Sequence, residues 1–130
     1  MKTVFVDTNY FLRFLLADVN AQHKKAKELF RKGSVGEVKL VTSVVVFFEI
    51  YWVLSSFYGK NKKDVTEVLE NLLSMSFIRW EERRLLIKAV DVFKSSGIEL
   101  EDSYNLVFVK ENKITEIASF DKKMIKVFKV

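Results

Sequence analysis

The chain has 130 residues, 49% of them apolar and 30% charged, enough to bury a core and too apolar for intrinsic disorder. With no cysteine and one histidine it excludes disulfides, thiolate zinc sites, iron–sulfur clusters, cysteine nucleophiles and multi-histidine metal centres. The absence of proline and the presence of only four glycines argue against a turn-rich all-β sandwich and leave no phosphate-cradling glycine loop, while the net charge of +5 favours polyanionic partners or a simple lysine-rich surface.

In chain order, residues 3–6 are β-branched and aromatic and predict a short buried strand ending at Asp7. Thr8 or Asn9 is placed to cap a helix after it. Helical spacing of Ala26, Leu29 and Phe30 predicts a helix over 22–31, with Gly33 as its stop. Residues 38–41 read as a strand. Thr42 or Ser43 then caps an apolar run over 44–58, long enough to favour a buried helix that ends at Gly59. Val65, Val68, Leu69, Leu72 and Leu73 form the clearest amphipathic stripe. A short strand is expected over 77–80. Leu85, Leu86, Ala89, Val90 and Phe93 mark the next helix, and residues 102–111 another. Residues 114–120 read as a strand ending at Asp121, and 127–130 as a last short strand.

Strands alternating with helices predict one domain over residues 1–130, built on a parallel sheet with helices on both faces. No linker or fixed repeat interrupts it. In such sheets ligands gather beyond the carboxyl ends of strands. Asp7 and Asp121 both sit there. Taken alone, each reads first as a turn residue or a helix cap.

Glu49 stands in the run Val44–Leu54, with apolar residues on both sides. An isolated buried carboxylate is costly unless paired, protonated or bound to a cation. The alternatives are a structural ion pair and a narrow exposed stripe on a buried helix. Asp102, beside Glu101, reads by itself as an acid favoured by a helix dipole. As a set, the four acids suggest a site for a divalent cation. Hard oxygen donors without histidine or cysteine select Mg2+ or Mn2+. A basic protein with such a pocket suits phosphodiester hydrolysis.

These residues resemble the PIN domain, and within it the VapC-type toxins. Val4-Phe5-Val6-Asp7-Thr8-Asn9 resembles the family's opening strand and first acid. Val46-Phe47-Phe48-Glu49-Ile50 resembles the helix bearing its glutamate. Leu100-Glu101-Asp102 resembles the third acid at a helix start, and Ser119-Phe120-Asp121-Lys122-Lys123 the closing strand, hydroxyl residue and fourth acid. The resemblance spans essentially the whole chain. It implies a three-layer α/β/α fold with a central, mostly parallel sheet of four or five short strands. It also implies a ribonuclease dependent on Mg2+ or Mn2+, with Asp7, Glu49, Asp102 and Asp121 catalytic and metal-ligating. Thr8, Asn9 and Ser119 would support the site. A homodimer, inhibition by a cognate antitoxin and single-stranded RNA as substrate are implied too. Asp102-Ser103-Tyr104-Asn105 departs from the family, whose helix usually carries small residues here. Glu101 could supply the carboxylate in place of Asp102, and Asn105 could support the site one turn on.

His23 reads as a solvated side chain, since no partner histidine exists. Lysines cluster at 24, 25, 27 and 32, at 60, 62 and 63, and at 122, 123, 126 and 129. Lys122 and Lys123 directly follow an acid of the site and are the expected phosphate contacts. Aromatic residues on the helix over 44–58 exceed what one core covers, so a dimer face or a groove for a partner helix is expected among Phe47, Tyr51, Trp52, Phe57 and Tyr58. The longest apolar run is far shorter than the roughly 20 residues that cross a bilayer, and Lys2 is followed by too short an apolar stretch for a secretory leader. The expected location is the cytoplasm, with no membrane association. The alternatives are a nuclease of the same metal chemistry acting on DNA, and a non-catalytic basic α/β module that binds nucleic acid or regulates.

Overall fold

The computed structural model describes residues 1–130. Strand β1 is Lys2–Phe5, followed by helices α1 (Thr8–Leu16) and α2 (Asn20–Ser34). Strand β2 (Val38–Thr42) leads into α3 (Val44–Trp52), which passes without a break into a π-helical turn, Val53–Phe57. Then come α4 (Lys62–Ser74), β3 (Ile78–Trp80), α5 (Arg83–Ser95), α6 (Leu100–Glu111) and α7 (Lys122–Lys129).

The three strands run parallel in the order β1-β2-β3, with Val4 beside Leu40 and Leu40 beside Ile78. Paired residues of parallel strands share a face, so Val4, Leu40, Ile78 and Trp80 point one way and Phe5, Lys39, Val41 and Arg79 the other. Helices cover the first face: Leu40, Ile78 and Trp80 are buried in one cluster with Phe11, Phe30, Phe47, Leu69, Leu72 and Leu86. Trp80 is the centre of it. Its ring meets Phe11 and Phe47 at centroid distances of 5.1 and 5.4 Å, and its Nε1 donates to the Leu72 carbonyl at 3.1 Å. The second face is largely open, with Phe5 55% exposed and Lys39 and Arg79 in solvent. The second helical layer expected over the sheet does not cover these residues.

The helix starts follow ordinary capping chemistry. Asp7, Ser43, Asn61 and Asp121 cap α1, α3, α4 and α7 with side-chain oxygens. The cap of α1 is thus Asp7 itself rather than Thr8 or Asn9. Gly33 does not stop α2. It lies inside the last turn, where a Cβ would meet Leu40 Cδ1 at 2.5 Å, so its role is close approach of helix to strand. The chain turns instead at Gly36, with φ of 82°.

Two expected strands are absent, which leaves three rather than four or five. Residues 114–119 have no regular structure, and Phe120 is fully exposed. A strand exists only as part of a hydrogen-bonded ladder, and this segment has no partner in the sheet. Residues 127–130 fall in or after α7. Met124, Ile125, Val127 and Phe128 recur at helical spacing behind the Asp121 cap, with Lys122, Lys123, Lys126 and Lys129 in solvent. The 3.6 period outweighs the β-branched character of two valines. No helix is long and apolar enough to cross a membrane.

Candidate active site

Asp7 is positioned by the end of the sheet. Val6 is fully buried, its N–H donates to the Val41 carbonyl at 2.9 Å, and its own carbonyl accepts from Thr42 Oγ1 at 2.8 Å. Those bonds carry the β1 ladder one residue further and fix where Asp7 leaves it. Asp7 Oδ1 accepts from Thr8 N at 2.8 Å, which leaves the other carboxylate oxygen uncommitted. Thr8 is buried, and its hydroxyl has no hydrogen-bond partner in the protein. Asn9, the next residue, is exposed.

Glu49 is exposed, in a row with Val45 and Trp52 at i, i+4 and i+7 along α3. The burial penalty expected for it therefore does not arise; the exposed-stripe alternative holds. The opposite side of the same helix buries Val46, Phe47 and Ile50.

Asp102 lies in the first turn of α6 and is half-buried. Burial raises its carboxyl above the usual range, and the charges of Asp121 and Glu99 raise it further. Asp102 and Asp121 are thus close enough to feel each other. Asp121 caps α7: Met124 N donates to its Oδ1 at 3.1 Å, and its own N–H donates to Ser119 Oγ at 3.0 Å. Ser119 thereby orients the fourth acid. Glu101 is also raised, by partial burial of its carboxyl and by Glu99 and Asp102. Asn105 is exposed one turn beyond Asp102, and Lys122 and Lys123 are exposed in the first turn of α7 without ion-pair partners.

Three residues that the sequence reading passed over belong to this region. Glu99 is the residue before α6, with no side-chain capping bond, and its carboxylate accepts from the Tyr51 hydroxyl, which burial and then that bond hold well above its ordinary value. Tyr51 is on α3, so the bond ties the start of α6 to the helix that carries Glu49. Glu81 and Glu82 follow β3 directly. Glu81 Oε1 accepts from Val44 N at 3.0 Å, and both glutamates raise the Tyr104 hydroxyl after burial has done so first. An acid just past a strand end was a visible signal in the case of Glu81. Nothing local marks the pairing of Tyr51 with Glu99.

No three histidine, aspartate or glutamate side chains come close enough together to hold a metal ion between them. Asp102 and Asp121 are the acids whose charges couple across two elements. A small divalent cation keeps several waters and takes one or two carboxylates with substrate phosphate, so a two-carboxylate site suits its chemistry. Apart from that pair, the Thr8 hydroxyl beside Asp7 is a buried oxygen without a protein partner, of the kind that water satisfies. The donor set is all oxygen, since the one histidine is engaged elsewhere, its Nδ1 3.0 Å from the Arg13 carbonyl.

The family model described as the PIN domain matches residues 4–129, nearly the whole chain. No curated protein matches the chain, and no solved structure does.

Proposed function

The chain belongs to the PIN domain family, whose members are in general metal-dependent nucleases, and from that premise we propose that it is an endoribonuclease that hydrolyses single-stranded RNA, a VapC-type toxin of the cytoplasm. The observation that carries the reading is the family match over residues 4–129; the charge of Asp121 at the start of α7, which raises the Asp102 carboxyl in the first turn of α6, supports it. Asp102 and Asp121 are the residues that would hold Mg2+ or Mn2+ between them, with Asp7 and Glu49 proposed as further acids of the site on the family resemblance rather than on proximity. A divalent cation there supplies positive charge to the phosphate and eases ionisation of the attacking water.

The protein's own side chains do the rest. Ser119 fixes Asp121 by accepting its N–H, and the Tyr51 bond fixes Glu99 and with it the first turn of α6. Lys122 and Lys123 place two cations directly after an acid and draw the RNA backbone in. The apolar patch on α3 and the π-helical turn supports a homodimer and a cognate antitoxin. Phe47 and Tyr51 are buried, whereas Trp52 is 60% and Phe57 76% exposed, with Val45 and Tyr58 beside them in solvent. Exposed aromatic clusters of this kind mark protein interfaces.

The test uses labelled RNA and DNA oligonucleotides of one sequence, incubated with the purified protein in Mg2+ or Mn2+ and again in EDTA. Cleavage of RNA only, abolished by EDTA, is the expected result. Equal cleavage of DNA would overturn the ribonuclease reading, and cleavage in EDTA would overturn the metal chemistry.

A further inference from the structure

Helices α1 and α2 pack side by side and leave a trough between them. Its first half is a cleft of about 280 Å³ lined by Asn9, Tyr10, Arg13, Gln22 and Lys25. Its second half shares Tyr10 and Lys25 and continues along Lys24, Glu28, Leu29 and Lys32. From Gln22 to Lys32 the trough runs about 15 Å along α2. Asn9 and Tyr10 of its lining belong to the first turn of α1, which Asp7 caps, with the Tyr10 N–H donating to the Asp7 carbonyl at 3.1 Å.

Charge and chemistry are uneven along it. Lys24, Lys25 and Lys32 are exposed and make no ion pair. Glu28, the acid among the lining residues, is neutralised by Arg31 at 2.8 Å. Arg13 is held by Asp18 at 2.6 Å, yet its Nε is buried with no acceptor. Tyr10 is 40% exposed, presenting a ring at the junction of the two halves. Unpaired lysines spaced along a groove track a phosphate backbone, and an exposed ring among them offers a stacking platform to any base. The amides of Asn9 and Gln22 add donors and acceptors that a base edge can use.

We propose that this trough carries the single-stranded nucleic acid to Asp7, with a base stacked on Tyr10 and phosphates on Lys24, Lys25 and Lys32. The inference rests on the nuclease reading above and adds the path of the strand. That path differs from the lysines of α7.

The experiment is fluorescence anisotropy with a labelled single-stranded RNA dodecamer, in EDTA so that no cleavage occurs, over a series of salt concentrations. Wild type, Tyr10→Ala, Tyr10→Phe and the triple variant Lys24→Ala/Lys25→Ala/Lys32→Ala are compared. A control triple variant, Lys27→Ala/Lys60→Ala/Lys63→Ala, removes the same charge outside the trough. Tyr10→Ala is expected to weaken binding between about five- and a hundredfold, and Tyr10→Phe to restore it. The trough triple variant is expected to flatten the log–log salt slope by about two units, because each lost phosphate contact on a single strand accounts for roughly 0.7. The control is expected to leave the slope nearly unchanged. Equal losses in both triple variants would mean that overall charge binds the strand and would overturn the proposal. So would wild-type affinity in Tyr10→Ala and the trough triple variant together, the outcome expected if the face serves a protein instead. Absence of RNA binding by the wild type at low salt would instead overturn the nuclease reading itself.

Discussion

One carboxylate of Asp7 closes a helix and stands at the candidate site, and the two roles can be separated. Asparagine caps helices about as well as aspartate, so Asp7→Asn keeps an acceptor for Thr8 N. The variant should fold with its thermal midpoint nearly unmoved. Its RNA cleavage in excess Mg2+ or Mn2+ should fall on the order of a thousandfold or more, the scale of losing a charge that steadies the transition state. Activity near that of wild type would remove Asp7 from the site. Asp102 makes the opposite trade. Its carboxyl is raised by burial, then by Asp121 and Glu99, so the folded state disfavours its charge relative to the unfolded chain. A group raised in this way supports the fold below its unfolded value near pH 4 and loses that support as pH rises through the folded value. Metal-free Asp102→Asn should therefore melt above wild type at pH 7, and the gap should close as the pH is lowered toward about 4. A gap that widens on acidification would contradict the assigned environment. That Asp7, Asp102 and Asp121 stand at or near helix starts was legible in the sequence, because acids there follow capping and dipole rules. Glu49 was legible as an oddity, with a buried charge and an exposed stripe both open, since apolar neighbours on both sides do not reveal which side of a helix meets solvent. Tyr51 and Glu99 were not legible at all: their bond joins residues 48 apart in the chain.

Helices were easier to read than strands, and the reason is local. The stripe of α4 and the stripe of α5 each bury their apolar side as their spacing predicts. A helix carries its own hydrogen bonds, so its sequence alone bears the pattern. Strands depend on a partner elsewhere in the chain, and residues 114–120 show how a β-branched, alternating segment remains without one. Glycines divide in the same way. Gly33 packs against Leu40 where a Cβ has no room, while nothing lies within 4 Å of a Cβ at Gly97, which has no left-handed φ. Gly33→Ala should destabilise the fold by about 1–3 kcal/mol through overpacking of α2 on β2. Gly97→Ala should stabilise it by about 0.4–1 kcal/mol by restricting the unfolded chain. Urea unfolding of the two variants checks both signs. A destabilised Gly97→Ala would mean that the link between α5 and α6 needs glycine for a reason other than space.

At the scale of the whole molecule, the parallel sheet collects strand-end residues at one edge: Asp7 after β1, Ser43 after β2 and Glu81 after β3. From the second half of the chain, the starts of α6 and α7 place Asp102 and Asp121 near enough for the charge of Asp121 to raise the Asp102 carboxyl. The net charge of +5 is spread so that Glu99, Glu101 and Asp102 crowd the start of α6 while lysines without ion pairs lie along α2 and α7. Repulsion among carboxylates within a basic protein is the arrangement a divalent cation relieves, and a ligand that binds only the folded state raises its melting point. Thermal denaturation of the EDTA-stripped protein should accordingly show a rise in midpoint at millimolar Mn2+, reduced in Asp102→Asn. The most direct measurement is a Mn2+ titration of the stripped wild-type protein, followed by the rate at which it cuts a labelled single-stranded RNA. The predicted result is no cleavage without the ion and a rate that rises with its concentration to saturation. A cleavage rate that is the same with and without Mn2+, or no cleavage at any concentration, would contradict a metal-dependent ribonuclease.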